Sequence, residues 1–109
     1  MKLSDLRDAL LEVVPDVFHY EAWAKPNKYI VWAEDTELDS LNADNQKEEQ
    51  VIQGTIDYFT KIEYDTNVKL IQEKLNSTEI SWRLNSIQYE EDTKFIHYEW
   101  LFELIGELI

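Results

Sequence analysis

The chain has 109 residues, 44% of them hydrophobic and 13% aromatic, so it is long enough for one domain with one modest core and too rich in rings for a disordered acidic tail. It carries 23 acidic against 10 basic residues, a formal net charge of −13, which argues against a phosphate-backbone grip on nucleic acid and against adsorption to an anionic membrane. It contains no cysteine, which removes disulfides, thiolate metal sites and cysteine nucleophiles, and fits a reducing compartment.

Residues 3–14 read as a helix. Leu3, Leu6, Leu10 and Val13 or Val14 recur at helical spacing, Ser4 is placed to cap the N-terminus, Asp5 and Asp8 lie near the positive dipole end, and Pro15 stops the element. The start, Met1-Lys2-Leu3-Ser4-Asp5, lacks the continuous apolar stretch of a signal peptide. Residues 17–24 are β-branched and aromatic and read as a strand. Lys25-Pro26-Asn27 is a turn signal, and residues 29–33, Tyr-Ile-Val-Trp-Ala, read as a second strand.

Residues 34–50 contain no aromatic residue and show neither a helical nor a strand period. They read as a long acidic loop carrying Glu34, Asp35, Glu37, Asp39 and Asp44, without the glycine and ligand register of a calcium loop. Residues 51–61 read as a strand with Ile52, Ile56 and Tyr58 on one face and Gln53, Thr55, Asp57 and Lys61 on the other. Phe59 breaks the alternation, and Gly54 marks a bulge or a close approach.

Residues 65–75 read as a second helix, capped by Asp65 or Thr66, with an apolar stripe of Val68, Ile71 and Leu75. A hairpin follows. Residues 79–89 form one arm, with Ile80, Trp82 and Leu84 in one phase and Ile87 and Tyr89 in the other, so a bulge is expected near Asn85-Ser86. Residues 90–93 turn the chain. Residues 94–105 return with Ile96, Tyr98, Trp100, Phe102 and Leu104 on one face. The order predicts a single α+β domain: a mixed or mostly antiparallel sheet of about five strands with two helices packed on it.

No catalytic, cofactor-binding or metal site stands out, and the chain is read as a non-enzyme without a cofactor. Two histidines sit in similar settings, His19-Tyr20-Glu21 and His97-Tyr98-Glu99. Were their strands neighbours, two His and two Glu could meet around a divalent metal; the plainer expectation is that both are solvent-facing strand positions. A zinc-deaminase reading of His-x-Glu fails for want of a cysteine pair, two glycines cannot make a phosphate-cradling loop, and no serine lies in a nucleophile elbow.

The aromatic load is more informative. Trp23, Tyr29, Trp32, Tyr58, Phe59, Trp82, Tyr89, Phe95, Tyr98, Trp100 and Phe102 are many large rings for one small core, and Leu104, Ile105, Leu108 and Ile109 add apolar residues at a chain end. Two readings stand: all of it is core, or a surplus lies at the surface and points to self-association, and the second is preferred.

The run Val51-Ile52-Gln53-Gly54-Thr55-Ile56-Asp57-Tyr58-Phe59-Thr60-Lys61 resembles a family of small proteins from phage and prophage structural clusters of Gram-positive bacteria, the minor capsid or tail-completion proteins. So do Ser81-Trp82-Arg83-Leu84-Asn85-Ser86-Ile87-Gln88-Tyr89-Glu90 and Ile96-His97-Tyr98-Glu99-Trp100. The element order is similar to that of the tail terminators of long-tailed phages. The resemblance implies a homo-oligomeric ring that caps the tail tube, meets the head connector and lets DNA pass without specific binding. It also implies a place in the bacterial host cytoplasm during assembly and then in the virion tail, with no membrane association. Charge alone supports an alternative, an acidic DNA mimic or inhibitor of a DNA-processing enzyme.

Overall fold

A computed structural model describes residues 1–38, 42–43, 46–47 and 50–108. The elements are α1 (Leu3–Leu11), β1 (Val17–His19), β2 (Lys28–Leu38), β3 (Asn42–Ala43), β4 (Gln46–Lys47), β5 (Gln50–Thr60), α2 (Asn67–Asn76), β6 (Ser81–Glu90) and β7 (Phe95–Gly106). Five strands form one sheet in the order β1-β2-β5-β7-β6. β1 runs parallel to β2 and the remaining pairings are antiparallel, so the expected α+β architecture holds. No described helix is long and apolar enough to cross a membrane.

The alternation of residue types on β5 sorts the two faces of the sheet. Ile52, Ile56 and Tyr58 are buried against the helices, together with Ile30 and Trp32 of β2 and Trp100, Phe102 and Leu104 of β7. Leu3, Leu6, Leu10 and Val14 from α1 and its end, and Ile71 and Leu75 from α2, complete this core. Each helix offers one apolar stripe, so both lie on the same sheet face. Phe59 departs from the alternation because the opposite face has a small core of its own. There Phe59 stacks on Tyr29 at 4.7 Å, and Phe95 and Phe18 close around Tyr29 edge-on.

Gly54 is a close approach. A Cβ there would lie 2.1 Å from the Ala33 carbonyl oxygen and 2.8 Å from the Phe102 ring. The β2 register shifts between Glu34 and Thr36, directly opposite Gly54 and Gln53, so Asp35 is the extra residue of a bulge. The bulge expected in the hairpin is also present, between Leu84 and Ser86.

Several boundaries and the cap of α1 differ from the sequence reading; α1 itself ends at Leu11, ahead of Pro15. The stretch 34–50 is not one long loop. β2 extends to Leu38, β5 begins at Gln50, and β3 pairs with β4 between them, because the pairing with β5 continues through polar residues once its register is fixed. Asp39 and Asp44, named above on that stretch, lie outside the described residues. β1 stops at His19 rather than residue 24. Tyr20 adopts φ 73°, a left-handed conformation that ends the strand, and the chain folds Ala22 and Ala24 back over the Phe18–Tyr29 cluster.

Ser4 does not cap α1. Lys2 takes the cap position, and its backbone N–H donates to Asp5 Oδ2 at 2.8 Å. For α2 the cap position is Thr66, but its side chain makes no capping bond. Asp65 Oδ1 instead accepts the Asn67 backbone N–H at 2.9 Å, so the acidic member of the expected pair does the capping.

A candidate assembly edge and three polar clusters

The two edges of the sheet are unlike. On one side β1 is a three-residue strand. On the other β6 runs for ten residues, pairs only with β7 and has no proline or lysine along its length. Proline, lysine and short length are common ways of discouraging edge-to-edge pairing, and β6 uses none of them; its bulge and the charged Arg83 and Glu90 are the devices it does carry.

The bulge also decides what β6 displays. Trp82 and Leu84 stand opposite Phe102 and Trp100, and after the shift Ile87 and Tyr89 stand opposite Tyr98 and Ile96. All four therefore share the helix-bearing face. Trp82 is tied to α2, its indole N–H donating to Asn76 Oδ1 at 3.0 Å. Ile87 and Tyr89 are each 58% exposed, and Leu84, between Trp82 and Ile87 on the strand, is 38% exposed.

The surplus of rings is thus partly core and partly surface. Tyr29, Trp32, Tyr58, Phe95, Trp100 and Phe102 are buried, while Tyr89 and Trp23 are exposed, the latter at 86%. Tyr20 and Tyr64, which composition did not single out, are exposed as well. Both have positive φ, so each projects from a chain reversal. At the chain end Leu104 is buried, whereas Ile105 and Leu108 are exposed; Ile109 lies outside the described residues.

His19 and His97 do not meet. β2 and β5 lie between β1 and β7, so the joint site of two His and two Glu is not formed, and Glu21 lies beyond the end of β1. Each histidine has a local carboxylate instead. His19 Nε2 lies 2.9 Å from Glu34 Oε2, and its ring is sandwiched between Tyr20 and Trp32 at 3.8 and 4.0 Å. The Tyr20 hydroxyl donates to the other Glu34 oxygen. Burial raises the Glu34 carboxyl, but these two hydrogen bonds outweigh it and hold the group below its ordinary range.

His97 is half-buried on the helix-free face rather than freely solvated, stacked on Phe59 at 4.2 Å. Its Nε2 lies 2.6 Å from Asp57 Oδ1, and its Nδ1 lies 4.0 Å from Glu90 Oε2. The Asp57 hydrogen bond raises the imidazole above its ordinary value. Burial opposes this, and the charges of Asp57, Glu90 and Glu99 reinforce it.

The third cluster is buried. Asp65 Oδ2 accepts the Tyr58 hydroxyl at 2.6 Å and the Thr60 hydroxyl at 2.7 Å, with Lys28 Nζ at 3.6 Å. The Asn67 side-chain amide donates to the Tyr58 oxygen at 3.2 Å. Burial, and then the bond to Asp65, push the Tyr58 phenol far above its ordinary value.

These clusters hold the fold and position charge on it. Sequence inspection missed Asp57 as a partner of His97 because the pairing depends on strand order. It missed the Tyr58–Asp65 contact because that contact joins a strand face to a helix cap. No protein-family model matches the sequence, and no curated protein matches it.

Proposed function

We propose that the protein is a structural subunit that assembles with copies of itself into a closed ring, as a tail terminator-like component of a phage or prophage tail. The observation that carries this reading is the β6 edge: ten residues with an unpaired outer side, flanked by exposed Leu84, Ile87 and Tyr89. An edge of that kind is a template for a further strand. Its counterpart at the far side of the sheet is a different surface, so contact between the two is head-to-tail, and head-to-tail contacts close into rings when the rotation between subunits allows.

The resemblance of residues 51–61, 81–90 and 96–100 to minor capsid and tail-completion proteins supports the tail assignment. In that setting the ring caps the tail tube, faces the head connector, forms in the bacterial cytoplasm and ends in the virion. The net charge of −13 suits a subunit past which DNA must slide without sticking. Asp35, exposed on the part of β2 that leads into the acidic stretch, is a candidate for the bore.

The test is absolute mass by light scattering across a concentration series, alone and with purified tail-tube protein. A discrete ring-sized species under either condition supports the proposal. A chain that stays monomeric alone and also fails to bind the tube protein refutes it.

A second reading, an acidic DNA mimic, draws on a specific feature of the helix-free face. Asp57, Glu99 and Glu103 are fixed there on paired strands, as a phosphate-like array would require. Affinity capture of a nuclease or another DNA-binding enzyme, competed by duplex DNA, would favour it over the ring.

A further inference from the structure

We propose that Asp57, His97 and Glu99 form a binding site for one first-row divalent cation, with Zn2+ and Mn2+ as the appropriate probes. The site belongs to the helix-free sheet face and does not depend on the assembly reading above.

Three observations point to it. First, Asp57 and Glu99 are direct cross-strand partners on β5 and β7. Like charges placed opposite one another destabilise a strand pair unless a cation lies between them. Second, His97 lies two residues before Glu99 on the same face, and one donor atom from each of the three residues lies within 4.8 Å of the others. One imidazole and two carboxylates form a mixed nitrogen and oxygen donor set suited to a borderline divalent ion, and the half-exposed face leaves positions for water.

Third, the neighbours occupy outer positions around the three donors. Asn85, the extra residue of the β6 bulge, donates its side-chain amide to Glu99 Oε1 at 2.7 Å, which orients that carboxylate. Glu90 Oε2 lies 4.0 Å from His97 Nδ1, too far for a hydrogen bond, and adds negative charge beside the ring. The Phe59 ring stacked on the imidazole fixes its plane. Arg83 donates to Asn85 Oδ1 at 3.1 Å, so its charge is engaged with the bulge residue.

His97 already gives Asp57 a partner when protonated, so the competing account is an ion pair that binds nothing. Calorimetric titration of the full chain with ZnCl2 separates the two. The expected result is saturable binding of one ion per chain. His97→Gln and Glu99→Gln should each weaken it by about tenfold or more, Asn85→Ala should weaken it by about tenfold through the outer contact, and His19→Gln should leave it unchanged.

Thermal melts without metal establish that each variant is folded. A second measurement needs no variant: Mn2+ added to isotope-labelled protein should broaden the amide signals of residues 57, 97 and 99 first. No saturable binding, equal affinity in folded His97→Gln protein, or broadening centred elsewhere on the chain would each overturn the proposal.

Discussion

The Tyr58 hydroxyl donates a 2.6 Å hydrogen bond to the Asp65 carboxylate, joining the central strand β5 to the cap of α2 inside the core. The Asp65 side chain is almost fully buried, so its charge persists only because four groups serve it: Tyr58, Thr60, the Asn67 amide and Lys28. Burial raises the carboxyl, these partners lower it, and the partners prevail.

That balance gives a pH dependence with a definite sign. A carboxyl whose folded value lies below its unfolded value contributes stability that is fully present above the unfolded value. The contribution is lost as pH falls through the depressed folded value. Asp65→Asn should therefore cost about 1–3 kcal/mol at pH 7, the usual range for leaving buried hydrogen-bonding groups without their partner. The gap to the parent protein should shrink as pH is lowered below about 4. Urea unfolding midpoints of both proteins across that range check this; a gap that widens on acidification contradicts it.

Gly54 is held by backbone, not by a movable side chain. The Ala33 carbonyl oxygen lies 2.1 Å from where a Cβ would stand, and two strands must part to admit it. Gly54→Ala should cost about 1–3 kcal/mol or more, in the range of overpacked cores. Thermal melting would show it as a lower midpoint, whereas an unchanged midpoint would mean that β2 and β5 separate easily at the bulge.

The β6 edge should be separable from stability. Ile87 is exposed, so Ile87→Lys should change folding stability by about 0.5 kcal/mol or less while placing a charge on the pairing edge. On the ring proposal, light scattering should show a lower mass for this variant than for the parent protein at unchanged melting temperature. On the same proposal, 23 acidic residues per chain would make subunits repel one another, so any self-association should strengthen between about 0.05 and 0.5 M salt as screening shortens. Mass falling with added salt would instead indicate contacts built on opposite charges.

Trp100 joins the sheet to α2 twice over, by full burial and by its indole N–H donating to Gln72 Oε1 at 3.1 Å. Trp100→Phe removes the bond and some volume, and should cost about 1–3 kcal/mol. Trp23→Phe, on a ring that is 86% exposed, should cost far less. Denaturant titration of the pair measures how much of the aromatic content is core.

Much of the architecture was legible along the chain because hydrophobic period reports local geometry directly. The stripe Leu3, Leu6, Leu10 requires a helix, the alternation Ile52, Ile56, Tyr58 requires a half-covered strand, and the phase slip between Leu84 and Ile87 requires an extra residue in β6. The β2 extension to Leu38 was not legible, because Glu34–Leu38 is polar and is held by its partner strand rather than by its own pattern.

The polar clusters were decided elsewhere. His19 and His97 look alike in sequence, yet the order β1-β2-β5-β7-β6 places two strands between them and gives each a carboxylate that no local spacing predicts. Asp57 lies 40 positions from His97 and Asp65 lies 7 from Tyr58, and neither distance carries a signal. Side-chain chemistry and a repeat of 2 or 3.6 residues were enough to establish both helices, the apolar strands, their core faces and the charge, but not the polar strand ends or β3 and β4. Only the tertiary structure decided which carboxylate meets which ring and which strand is left as an edge, because both are properties of strand order and register.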